Sequence, residues 1–195
     1  RTDAVVANSA IVPLDADGTL PISSYLPGDV VVDLTGVFVP AESSRAGRFV
    51  ARRPARLADT RTSGAPLDAG DELNVGLPSG VHPDAAALVV NVTTVGETRP
   101  GFLSARPAGT PRPRRLTSFL NQNGTGQATA ASVILPVSPD GVTIYSYAGG
   151  HVIVDVVGWF TGAASADSST GLYVPSSPTR LHDTREQRPR LARDG

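Results

Sequence analysis

Residues 151–160 read HVIVDVVGWF, and residues 29–38 read DVVVDLTGVF, with Asp155 falling on Asp33, Gly158 on Gly36 and Phe160 on Phe38. In the first stretch Val152, Val154 and Val156 alternate with Ile153 and Val157, so an extended chain presents apolar side chains to both faces. Such a strand belongs in the interior of a packed sheet. Asp155 interrupts the pattern. A carboxylate in that setting is costly to desolvate unless a cation or hydrogen-bond donor meets it, so a partner is expected for Asp155 and for its copy Asp33.

The correspondence extends well beyond this strand. Val6–Phe38 aligns with Thr129–Phe160: Ser9 falls on Ser132, Ile11 on Ile134, Pro13 on Pro136, and Asp17-Gly18 on Asp140-Gly141. The Asp-Gly dipeptide suits a tight hairpin turn. A second match sets GRFVARRPARLADTR (Gly47–Arg61) against GLYVPSSPTRLHDTR (Gly171–Arg185), so Arg56, Asp59 and Arg61 recur as Arg180, Asp183 and Arg185. The spacing defines a domain-sized unit of about 110–120 residues in tandem, rather than a short solenoid turn. Residues 1–40 read as the second half of one unit, 49–162 as a complete unit and 171–195 as the opening of a further one. The small polar stretches between them, within 41–48 and 163–170, read as linkers.

With 20 Gly and 17 Pro among 195 residues and only 18 % charged residues, the composition favours short strands and turns. The fold class expected is all-β, a β-sandwich or jelly-roll-like unit. Strands are expected near Ala55–Asp59, Glu72–Leu77, Ala86–Val95, Gly101–Arg106, Leu116–Asn121, Ala130–Val137, Val142–Tyr147 and His151–Phe160. TPRPRR (Thr110–Arg115) reads as an exposed, proline-stiffened basic loop. The net charge of −1 lacks the basic excess of a nucleic-acid binder, and no apolar run reaches the length of a membrane span. Cysteine is absent, which excludes disulfides and thiolate metal sites. Methionine is absent too, so the sequence is expected to be a processed product or a piece of a longer chain.

PARLADTR, AALVVNVTTV, PGFLSARPAGTPRP, LTSFLNQNGTG, ASVILPVSPDG and HVIVDVVGWF follow one another in order. This series resembles a repeat of large exported or cell-surface proteins of actinobacteria, built from LxDTR, NVT, GF, RP, VPV and VDVxGYF-like elements. Trp159 and Val37 stand where that repeat usually has Tyr. The resemblance implies a secreted or cell-surface, non-catalytic module joined to varied partners, and it implies no particular ligand.

No catalytic or metal-binding constellation emerges, and no cofactor is expected. His82, His151 and His182 are scattered, and Ser118 and Ser132 lack a GxSxG setting. LDADGTL, with Asp15, Asp17 and Gly18, begins like a calcium loop but lacks the later ligands and the closing Glu, so a turn explains it. The sequons at Asn91 and Asn123 are discounted, the first because it lies within a strand. Tyr145 and Tyr147 share one face of their strand and form a candidate ligand platform, set against the simpler role of covering the sandwich. The function expected is therefore a stalk, adhesive or filament-forming module. The alternative is a carbohydrate-binding module attached to a secreted enzyme, with a cell-wall or extracellular glycan as partner.

For Asp155 the partner expected is Arg61, and for Asp33 it is Arg185, because the DTR motif recurs with the aspartate. The half-units present closing strands without openings and an opening without closings. Completion is expected from residues beyond this sequence or from a neighbouring chain, head to tail.

Overall fold

The structure, a computed structural model, describes residues 10–12, 14–24, 27, 30–39, 45–114, 116 and 118–183; for 31, 33–39, 63, 123 and 172–183 it describes the backbone. Ten strands account for nearly all regular structure: β1 (Val31–Val39), β2 (Phe49–Asp59), β3 (Glu72–Val75), β4 (Ala87–Val95), β5 (Pro100–Pro107), β6 (Leu120–Asn123), β7 (Thr129–Pro136), β8 (Val142–Ser146), β9 (His151–Phe160) and β10 (Leu172–Asp183). A single helical turn, α1 (Thr60–Ser63), follows β2. The chain is all-β. Two four-stranded antiparallel sheets, in the orders β2-β9-β4-β7 and β3-β8-β5-β6, account for residues 49–160.

The sheets share one core, consistent with a β-sandwich. From the first sheet Val152, Val154 and Val156 of β9 meet Leu88, Val90 and Val92 of β4. From the second come Val142 and Ile144 of β8, Leu103 of β5, Val75 of β3 and Leu120 of β6. Each fully buried aliphatic side chain contributes about 1.5–3 kcal/mol through removal of apolar surface from water. The even-numbered residues of β9 point inward, so period-two alternation turns Asp155 outward. Its neighbour Ile153 is buried nonetheless, as the two-sided apolar pattern requires.

Gly158 has a steric reason to recur in the repeat. A Cβ there would stand 2.4 Å from the Phe49 ring and 2.7 Å from the Val50 carbonyl oxygen. Phe49 therefore lies over the glycine of the strand paired with it and also touches Phe160, at 5.6 Å between ring centroids.

Two local expectations change. The strand expected at Leu116–Asn121 is instead Leu120–Asn123, the stretch that lies opposite Pro100–Leu103 of β5. The turn at Asp140-Gly141 forms, with Gly141 N–H donating to Ser138 O at 2.9 Å, but it does not close a hairpin within one sheet. It joins β7 of one sheet to β8 of the other.

Entry and exit of residues 49–160 lie side by side. Gly47 N–H donates to Thr161 O at 2.8 Å, Thr161 N–H to Arg48 O at 2.9 Å, and Phe49 N–H to Gly171 O at 2.8 Å. The Arg48 guanidinium reaches Ala166 O at 2.7 Å, and Arg45 pairs with Asp167 at 3.1 Å. Residues 45–49 are thus tied to residues 161–171 at a neck.

Beyond the neck, β1 pairs antiparallel with β10 of the same chain. The register matches that of β2 with β9, position for position. Tyr173 opposite Phe38 corresponds to Phe49 opposite Phe160, and Thr179 opposite Leu34 to Ala55 opposite Val156. Arg180 opposite Asp33 likewise corresponds to Arg56 opposite Asp155. Opening strands are offset by 124 residues (Phe49 to Tyr173) and closing strands by 122 (Phe38 to Phe160), and both register irregularities fall at equivalent places. The two half-units therefore meet within one chain, a route that differs from the two expected for them.

Candidate functional site

The first candidate is the charge cluster around Asp155. β2 departs from regular pairing between Arg56 and Ala58, and the register sets Arg56 opposite Asp155. The Arg56 guanidinium donates to both Asp155 oxygens, at 2.5 Å and 3.3 Å, and also to Asp59. Arg61 does not bond Asp155. It lies one turn further on, in α1, and folds back on Asp59 with Nε at 2.9 Å and Nη2 at 2.7 Å, while its backbone N–H is capped by the same carboxylate at 3.1 Å. The expected Asp155–Arg61 pair is thus replaced by an alternating chain, Asp155, Arg56, Asp59, Arg61. The reason is local: across antiparallel strands the directly opposed residue is nearer than one beyond the strand end.

The cluster is not deeply buried. The Asp155 side chain is 28 % exposed and both arginines about half exposed, whereas Asp59 is only 7 % exposed. Water screens such pairs, so the cluster fixes the end of β2 more than it supplies net stability. For the copy, the Asp33 backbone faces Arg180, while the Asp33 side chain and Arg185 lie outside the described residues.

Asp59 is held well below its ordinary value of 3.8, first by the hydrogen bond from Arg61 and further by the nearby Arg56 charge. A depressed folded-state pKa means the unfolded chain takes up the proton first. The stabilisation is complete above pH 3.8 and is lost as pH falls from there toward the depressed folded value. Acid titrations of wild type and Asp59→Asn, followed by circular dichroism, are expected to diverge near neutrality and converge in acid. A constant offset between the two curves would contradict this role.

The second candidate is the outer face of the other sheet. Tyr145 and Tyr147 do share it, but Phe102 of β5 joins them, 6.2 Å from Tyr145 and stacked at 5.2 Å on Tyr147. The Arg99 guanidinium lies 5.1 Å from the Tyr147 centroid and donates to its carbonyl at 2.9 Å. Arg112 lies over Tyr145 at 5.1 Å, and Pro113 and Leu116 line a small groove beside that ring. Tyr145 is therefore 9 % exposed, and Tyr147 at 44 % is the open ring of the expected platform. Glu72 joins the loop to the sheet: Arg106 binds it through two hydrogen bonds of 2.9 and 2.7 Å, and Arg112 stands at 3.9 Å. Stacking on Phe102 and the contact with Arg99 engage Tyr147 in part and leave it the exposed ring of the three.

Neither candidate is a known site by likeness. No protein-family model, curated protein or solved structure matches the chain.

Among the described residues no group of three or more His, Cys, Asp or Glu is placed to hold a metal ion. Asp15 spends its carboxylate on its own turn, accepting from Thr19 N at 2.7 Å, Asp17 N at 3.2 Å and the Thr19 hydroxyl. His82 meets Asp84 at 2.5 Å, and His151 meets the Thr60 hydroxyl at 3.1 Å, which also accepts from Val152 N–H at 3.0 Å. The His182 side chain lies outside the described residues.

From sequence, Arg56 and Asp59 are not placed in the charge cluster, and Glu97 is not singled out; Phe102 counts among the available aromatics without being set beside Tyr147. Arg56 and Asp59 recur in the repeat as faithfully as Arg61, so strand register was the missing information. Glu97 carried no signal. It follows β4, is 1 % exposed, and neither carboxylate oxygen has a hydrogen-bond partner among the described residues. Gln122 bridges the two sheets, donating to Thr94 Oγ1 at 2.9 Å and to Gly149 O at 3.1 Å. Because a buried polar side chain without a hydrogen-bond partner costs free energy, Glu97→Met, which keeps the length and removes both oxygens, is expected to raise stability by about 1–3 kcal/mol. Chemical denaturation at pH 7 measures it, and a loss of stability would show that Glu97 has a partner in solution.

Proposed function

We propose that the chain is a non-catalytic structural and interaction module of a secreted or cell-surface protein. It acts as a stalk, adhesive or filament-forming element, and its units of about 110–120 residues stand in tandem. The observation that carries this reading is the equivalence of two strand pairs: β1 with β10 repeats the register of β2 with β9, irregularities included. A protein whose separated segments rebuild the same pairing is organised around joining copies of one unit. Local chemistry agrees, since the charged and aromatic groups of both candidate sites are engaged with each other rather than converging on an open cavity.

The carbohydrate-binding alternative rests on Tyr147, the exposed ring beside Arg99. A glycan array and a pull-down with cell-wall sacculi, run on wild type and Tyr147→Ala, separate the two readings. The structural module shows no saturable glycan binding. Saturable binding that Tyr147→Ala abolishes would establish the alternative in its place.

A further inference from the structure

We infer that the edge of β1 opposite β10 is a docking site for one additional antiparallel strand of the β4 sequence type, supplied by another copy of the unit. The inference deepens the structural reading and rests on it for the source of that strand. β9 has two neighbours, β2 on one edge and β4 on the other, whereas among the described residues β1 has β10 alone. Since β10 stands to β1 as β2 stands to β9, the remaining edge of β1 is the counterpart of the edge on which β9 carries β4. A row of unpaired N–H and C=O groups is a template for strand addition, and a two-stranded ribbon in water is marginal without it.

The occupant follows from the register. In the complete unit Ala87 faces Phe160, Val89 faces Gly158, Val90 faces Val156, Asn91 faces Asp155 and Thr93 faces Ile153. Carried to the copy, the same strand sets Ala87 against Phe38, Asn91 against Asp33 and Thr93 against Val31, stepping past Thr35 where β1 already breaks register with β10. The β4 of this chain cannot serve, because its two edges are taken by β9 and β7. The inferred donor is the β4-type strand of a second unit.

The test adds a synthetic peptide of residues 87–95, flanked by arginines for solubility, to the full chain and follows amide hydrogen exchange. Saturable binding is expected, with exchange slowed about tenfold or more at alternate amides of residues 31–39. A peptide carrying Val90→Pro is expected to lose this effect, because proline removes a ladder donor. Absence of protection in β1 at saturating peptide would overturn the inference. Protection confined to residues 151–160 would overturn it too, since the peptide would then be displacing β4 within the complete unit. Either failure, with no glycan binding detected, removes the docking edge and leaves the structural reading standing, whereas saturable glycan binding removes that reading whatever the peptide does.

Discussion

Replacing Gly141 with alanine is expected to destabilise the fold by about 2–5 kcal/mol. Gly141 closes the turn that carries the chain from one sheet to the other, and it adopts φ +97°, a conformation that L side chains rarely take. A Cβ there would stand 2.1 Å from the carbonyl oxygen of Val75, the last residue of β3, and 2.8 Å from the Cα of Gly76 just after it, both backbone atoms. Neither can rotate away as a side chain would. Gly18 occupies the matching place in the repeated Asp-Gly dipeptide, at φ +74° with open space around its missing Cβ. Gly18→Ala should therefore carry only the backbone term of about 1–2 kcal/mol. Urea unfolding of both variants measures the difference, and equal effects would show that packing against Val75 is not the cause.

Leu103→Ala is expected to cost about 2–5 kcal/mol. The side chain is fully buried at the centre of β5, in the core shared by both sheets. Removing it leaves a cavity that strands paired on either side cannot close: β5 is held to β8 through Leu103 opposite Ser146 and to β6 through Leu103 opposite Leu120. Ile134 on β7 makes the contrast. It is 50 % exposed, and Ile134→Ala is expected to change stability by no more than about 0.5 kcal/mol. A large effect at Ile134 would mean that a second surface packs on β7 in solution.

Much of this architecture is legible in the sequence because strand patterning is local. The alternation in His151–Phe160 marks β9 as a central strand, and six of the eight expected strands of the complete unit overlap their observed counterparts closely, while β2 begins at Phe49, six residues before the expected Ala55, and β6 is shifted toward Asn123. What escapes is set by distance along the chain. Arg56 and Arg61 are equally repeated, and the register irregularity after Arg56, visible only once β2 lies on β9, decides which of them meets Asp155. Tyr145 and Tyr147 share a face as period two requires, yet the proline-rich loop that covers Tyr145 arrives from more than thirty residues away. The Asp140-Gly141 dipeptide announces a turn without saying whether the strands it joins are paired. Glu97 sits in an ordinary polar context in the sequence and becomes a buried carboxylate only when the loops around it close.

β1 and β10 rebuild within one chain the pairing of β2 and β9, and the absence of native cysteine allows a direct test by disulfide trapping. Val37→Cys with Val174→Cys probes a directly opposed pair of the first ladder, and Val50→Cys with Trp159→Cys probes its counterpart in the second. Opposed residues on antiparallel strands lie about 4.5–5.5 Å apart, within the reach of a disulfide. Oxidation in dilute solution is predicted to yield a cross-linked monomer from both pairs, while a control shifted by three residues, Val37→Cys with Ser177→Cys, stays reduced. Cross-linking of the Val50/Trp159 pair alone, with the Val37/Val174 pair remaining reduced or forming only disulfide-linked dimers, would contradict the account.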